Sequence, residues 1–168
     1  MKTVNGHEVP SKADITQKVT NLEKTIQKTV GISNVKTKLD FDNYILTLSC
    51  DFAKVNSLNS AVKNIGEKEH NLQKAIEKSY DFDAAGKTFS RLNKFSLKDE
   101  YQKMSNADRE IFATANYTSI FRFESDIAGS SNKESKVAGN KKAVMLKLNA
   151  LDIITSKKSI ENKINLTK

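Results

Sequence analysis

Residues 35–52 alternate apolar and polar side chains so regularly that they constrain the fold more than any other stretch of the chain. Read as two strands joined through Asp42 and Asn43, they set Phe41 opposite Tyr44, Leu39 opposite Leu46, Thr37 opposite Leu48 and Val35 opposite Cys50. Those pairs line one face, whereas Lys36, Lys38, Asp40, Thr47, Ser49 and Asp51 line the other, with Ile45 out of place. Period-two alternation marks a sheet buried on one side and wet on the other, and an Asp-Asn pair tolerates the positive φ of a two-residue turn.

A helix precedes this hairpin. Ile15, Val19, Leu22, Ile26 and Val30 recur at helical spacing, Ser11 with Asp14 after Pro10 resembles a capping box, and Gly31 suits the C-terminal cap. The stripe is short for a coiled-coil seam, so it is expected to cover the sheet. After the hairpin, Asn56 is read as the cap of a helix that turns Leu58, Ala61, Val62 and Ile65 inward and ends at Gly66. Residues 67–78 are highly charged and read as a weak helix or a mobile excursion.

Residues 80–82 and 88–95 read as strands joined near Gly86. Ser96 with Asp99 and Ser105 with Asp108 have the spacing of two successive helix starts. Tyr117, Ser119, Phe121 and Phe123 then alternate with Thr118, Ile120, Arg122 and Glu124 as a half-buried strand. Residues 129–135 read as a loop. Gly139-Asn140 reads as a hairpin turn into a strand over 143–151, in which Val144, Leu146 and Leu148 alternate with Met145 and Lys147, and residues 160–166 as an edge strand or a frayed tail. This order predicts an α+β fold, an antiparallel sheet built of hairpins with helices packed on one face. It is expected to form one domain over residues 11–168, behind a flexible segment over 1–10.

A chain of 168 residues, 38% of them hydrophobic, can build a core, since a domain of about 150 residues buries roughly 70% of its unfolded surface. With 28 basic and 20 acidic residues, the net charge is +8 and suits an anionic partner. Yet Arg91, Arg109 and Arg122 are the only arginines, and recognition of bases and phosphates draws on the guanidinium fork. Lysine richness beside sixteen asparagines and one proline is what an AT-rich bacterial genome would encode, so an ordinary solvated surface is preferred.

No catalytic, cofactor-binding or metal-ligating residues are assigned. Asp-Phe-Asp occurs at Asp40 to Asp42 and at Asp81 to Asp83, where two carboxylates could share a strand face. The second begins like a calcium loop with Asp81, Asp83 and Gly86, but Ala85 and Leu92 stand where oxygen ligands belong. Turn chemistry explains both pairs. His7 and His70 lack the spacing of a zinc site, and no nucleophile elbow or glycine-rich phosphate loop is present. Cys50, on the apolar strand face, is read as a small buried hydrophobe. Phe89, Tyr117, Phe121 and Phe123 among Arg91, Arg122 and Lys94 could form a stacking platform for single-stranded nucleic acid, but the same spacing suits core strands.

No apolar run approaches the roughly 20 residues that span a bilayer, and no signal-peptide segment is seen. The polar start Met1-Lys2-Thr3 is expected of a chain cut downstream of a targeting signal. Gly31-Ile32-Ser33-Asn34-Val35, Asp42-Asn43-Tyr44, Asp51-Phe52 and Ser57-Leu58-Asn59 resemble uncharacterised cell-envelope lipoproteins of Bacteroidetes. Tyr117-Thr118-Ser119-Ile120-Phe121-Arg122-Phe123, Ser131-Asn132-Lys133 and Asn140-Lys141-Lys142-Ala143-Val144-Met145-Leu146 are similar to their C-terminal half. More remotely, the order of helices and hairpins is similar to that of lipid-associated LppM-type lipoprotein domains. The resemblance implies no catalytic signature. It implies a non-enzymatic envelope domain, in the outer membrane or periplasm, that binds a lipid or an envelope protein in an apolar groove between sheet and helices. A membrane contact would then run through a missing N-terminal anchor. The alternatives are a cytoplasmic basic nucleic-acid-binding protein, suggested by the charge and by Lys141-Lys142 and Lys157-Lys158, and an assembly module using an exposed sheet edge.

Overall fold

A computed structural model describes residues 3–4, 7–8, 10–68, 78–92 and 98–167 of the chain. It shows an α+β protein in which every strand pairing is antiparallel. The chain divides into two compact units, Met1–Lys74 and Ala75–Lys168, each with its own core.

The first unit opens with a short ladder between β1 (Thr3–Val4) and β2 (His7–Glu8), followed by α1 (Lys12–Gln27). The capping box is present: the Asp14 amide donates to Ser11 Oγ at 3.1 Å and the Ser11 amide to Asp14 Oδ2 at 2.9 Å. Val19 and Ile26 of the predicted stripe are buried, but Val30 is 90% exposed. The helix stops at Gln27, and Thr29 turns inward instead, its hydroxyl accepting from Asn64 Nδ2 at 3.0 Å. Gly31 lies beyond the cap with φ +81°, a conformation that favours glycine, and a β-carbon there would crowd the Ser57 side chain.

Strands β3 (Ile32–Asp40) and β4 (Ile45–Phe52) form the hairpin in the expected register, Leu39 opposite Leu46 and Thr37 opposite Leu48. The turn differs. It spans four residues, Phe41 to Tyr44, and the positive φ falls on Tyr44 at 54°. The cause is the Asp40 carboxylate, whose Oδ1 accepts the amides of Asp42 and Asn43 at 3.1 and 3.0 Å and holds them in an Asx-type turn. At the other end the ladder slips between Ser33 and Lys36, where Asn34 has φ 50°. Helix α1 lies along β3, and α2 (Val55–Lys68) packs on α1, so that Ile26, Ile32, Val35 and Ala61 meet with Leu22, Cys50, Phe52 and Ile65 around them. Asn56 is not the cap, because the amides of Ser57 and Leu58 already donate to the Lys54 carbonyl. Nor does Gly66 end the helix, which continues to Lys68. One helical glycine costs only about 1 kcal/mol against alanine.

In the second unit, β5 (Tyr80–Asp83) and β6 (Thr88–Arg91) form a hairpin built like the first. Asp83 Oδ1 accepts the Ala85 amide at 3.0 Å, and the positive φ again falls on the last turn residue, Lys87 at 47°. Two helices follow as expected, α3 (Lys98–Lys103) and α4 (Asn106–Thr114). The part of the predicted strand beyond Leu92, the helix start at Ser96 and the charged stretch over 69–77 lie outside the described residues.

β7 (Asn116–Arg122) pairs with β10 (Ala143–Asn149) over its whole length. Residues 129–135, expected to be a loop, instead contribute to β8 (Ile127–Ser130) and β9 (Ser135–Val137). The predicted strand over 143–151 ends at Asn149, whose Oδ1 accepts the Leu151 amide at 2.9 Å and starts α5 (Ala150–Ile154). The tail is no edge: β11 (Asn162–Leu166) sits between β6 and β8, with Ile164 wholly buried. Two sheets result, ordered β7-β10-β9 and β5-β6-β11-β8. Rings from both meet in the core, Phe89 lying 4.9 Å from Phe121 and 5.5 Å from Phe123, with Tyr80 5.9 Å from Phe89.

Candidate interaction surface

Of the carboxylates singled out in the sequence, Asp40 and Asp83 serve turns and Asp81 pairs with a lysine. Hydrogen bonds from the Asn43 side chain and backbone hold the Asp40 carboxyl below the ordinary range, and Lys78 holds Asp81 below it through a 2.8 Å ion pair. Among the described residues, no three His, Cys, Asp or Glu side chains are placed to hold a metal ion. His70 lies outside the described residues, and so does the side chain of His7. Cys50 is half-buried against the core of the first unit, and burial, with Asp51 adding to it, raises its thiol pKa. A raised thiol is a poor nucleophile at neutral pH.

The aromatic platform is turned inward. Phe89 is fully buried in the core, where its ring meets those of Tyr80, Phe121 and Phe123. Arg91, counted with that platform, is 9% exposed. Its Nη1 donates to the carbonyls of Ser79 and Leu92 at 3.0 and 2.6 Å, and its guanidinium stacks 4.7 Å from the Tyr80 ring centroid. Its Nε is buried without a hydrogen-bond partner among the described residues.

A second polar group in this core left little trace in the sequence. Asn162 on β11 is buried; its Oδ1 accepts from Ser130 Oγ at 2.7 Å and from the Asn132 amide at 3.1 Å, while its Nδ2 donates to Ser135 Oγ at 3.0 Å. Asn132 in turn donates to the carbonyls of Ser159 and Glu161. This network ties the β8–β9 connection to β11. The clustering of Ser130, Ser131 and Asn132 was its one visible trace.

The outer face of the β7-β10-β9 sheet has a different character. Inward positions Val144, Leu146 and Leu148 are buried, which turns Ile120, Arg122, Met145 and Lys147 outward. Met145 is paired with Ile120 on one side and Lys136 on the other, and Lys147 with Thr118. Ile120 and Met145 are 45% and 36% exposed, so two apolar side chains lie side by side on the face. Arg122, Lys136 and Lys147 stand next to them on the same face, none in an ion pair among the described residues, and no Asp or Glu lies within these three strands. Elsewhere in this unit Lys142 is paired with Asp126 at 2.7 Å and Lys158 with Glu134 at 3.1 Å, whereas Lys133, Lys141 and Lys163, like the three cations of this face, stand in no ion pair among the described residues. The face combines three such cations with two apolar side chains.

Comparison with protein-family models, with curated proteins and with solved structures finds no match for this chain. Among the described residues no helix is long and apolar enough to cross a membrane.

Proposed function

We propose that the chain is a non-enzymatic binding domain of the cell-envelope lipoprotein type, which rests the outer face of β7-β10-β9 on an anionic lipid surface. The observation that carries this reading is the pairing of exposed Ile120 and Met145 on the sheet face that also carries Arg122, Lys136 and Lys147. Apolar side chains gain by entering the boundary between headgroups and acyl chains, while Lys and Arg keep their charges at the headgroups. Each basic residue near an anionic leaflet contributes about 1 kcal/mol, so three give about 3 kcal/mol, roughly a hundredfold in affinity. The envelope setting is supported by the sequence resemblance, and the binding role by the use of Asp40 and Asp83 in turns rather than in chemistry.

Nucleic acid, the other anionic partner, is less well matched. Stacking platforms present aromatic rings to bases, and the rings of this sheet point into the core. Sedimentation of the full chain with phosphatidylglycerol vesicles and with phosphatidylcholine vesicles tests the reading. Binding to the first and not to the second is expected; equal binding to both, binding to neither, or tighter binding to single-stranded DNA at the same salt overturns it.

A further inference from the structure

The first unit carries an open strand edge with a property of its own. β4 pairs with β3 on one side and with no other strand among the described residues. The two edges of this hairpin are unlike. β3 carries Lys36 and Lys38 and is broken by the slip at Asn34, devices that keep other strands away. The first six residues of β4 read Ile45-Leu46-Thr47-Leu48-Ser49-Cys50, without a charge, a proline or a glycine, its one charge, Asp51, coming after them. In a chain of net charge +8 this is a segment where two copies can meet without opposing lysines.

The packing points the same way. Helix α1 lies chiefly over β3, which leaves Leu46 and Leu48 of the shared apolar face 48% and 41% exposed. We propose that β4 pairs antiparallel with β4 of a second copy of this chain about a two-fold axis at Thr47. In that register Leu46 of each copy faces Leu48 of the other, and Thr47 faces Thr47 on the opposite side of the sheet. The result is a four-stranded sheet, β3-β4-β4-β3, with one α1 over each outer strand. Outer strands three spacings apart lie about 14 Å from each other, against the 8–10 Å of directly packed helices. The four leucines fill the strip between the two helices, and the uncharged edges satisfy each other's backbone groups. This arrangement is independent of the lipid-facing sheet, which belongs to the other unit.

Sedimentation velocity of the full chain without lipid, over a wide range of concentration, reads the association. A monomer–dimer equilibrium that salt does not weaken is expected, because no ion pair holds it. Thr47→Lys sets two ammonium groups against each other across the axis and is expected to weaken dimerisation at least tenfold, with an unchanged circular dichroism spectrum. In a Cys50→Ser background, Thr47→Cys is expected to form an interchain disulfide on mild oxidation, whereas Lys38→Cys, its neighbour on β3, is not. A monomer at every concentration, a dimer indifferent to Thr47→Lys, open-ended assemblies, or equal cross-linking at both positions would overturn the proposal.

Discussion

Ile120 on β7 lies directly opposite Met145 on β10, and both side chains are turned away from a core that Leu146 and Leu148 fill on the other side of the sheet. Because neither lies in the core, their replacement costs far less than a core truncation. Ile120→Ser with Met145→Ser is expected to change unfolding free energy by about 1 kcal/mol per site, against roughly 2–5 kcal/mol for a core truncation. Vesicle binding is expected to weaken severalfold. A large loss of stability in urea titration would show that the pair is part of the core.

Arg91 is a buried cation held by two carbonyls and a ring. Arg91→Lys keeps the charge but loses the planar stack on Tyr80 and the Nη1 that donates to Ser79 and Leu92. The Ser79 carbonyl keeps the Leu92 amide as donor, but a lost hydrogen bond from a charged group costs about 1.5–3 kcal/mol, so the midpoint of urea unfolding should fall clearly. An unchanged midpoint would mean that this arginine is dispensable to the fold.

At Gly31 the positive φ alone disfavours any L side chain by roughly 1–2 kcal/mol, and the clash with Ser57 adds to that. Gly31→Ala should therefore lower the melting temperature, whereas Gly139→Ala, whose new β-carbon meets nothing within 4 Å, should be nearly silent. Equal effects at the two glycines would contradict the assigned backbone.

Acid sensitivity follows from carboxylates that folding makes more acidic. Hydrogen bonds from Asn43 to Asp40 and from Lys142 to Asp126 lower both below the ordinary 3.8. A lowered folded pKa contributes stability that is fully present above pH 3.8 and is lost as pH falls from there through the folded value. Asp40→Asn with Asp126→Asn is expected to flatten the fall of melting temperature below pH 3.8 relative to the parent chain. Parallel acid limbs would argue against these hydrogen bonds.

Cys50 should react slowly. Its thiol is half-buried and raised in pKa, so labelling by a maleimide at neutral pH is expected to lag well behind a free thiol and to accelerate in urea. Immediate full labelling of the folded chain would place Cys50 outside the core.

The hairpin register was legible in the sequence because a slip of one residue would exchange its two faces, and Leu39 and Leu46 permit one choice. Its turn was not, since a carboxylate on the last strand residue reorganised the loop and put positive φ on Tyr44, a residue with no such preference. Ile120, Arg122, Met145 and Lys147 could be placed on outward positions from alternation alone. Lys136 could not, because β9 is only three residues long, with Val137 its one β-branched residue, and its first residue, Ser135, is held by Asn162, remote in sequence. The same contacts hide the central place of β11, read from the sequence as an edge strand or frayed tail, because its buried Asn162 reads as a surface residue until its partners, remote in sequence, are seen.

The central claim is that an uncompensated basic face of the second unit binds anionic lipid. Its most direct test is sedimentation with phosphatidylglycerol vesicles of the parent chain and of a variant carrying Arg122→Glu, Lys136→Glu and Lys147→Glu. Parent binding that falls as salt rises, and a variant with an unchanged circular dichroism spectrum that no longer sediments with the vesicles, is the predicted result. A variant that binds as tightly as the parent would contradict it.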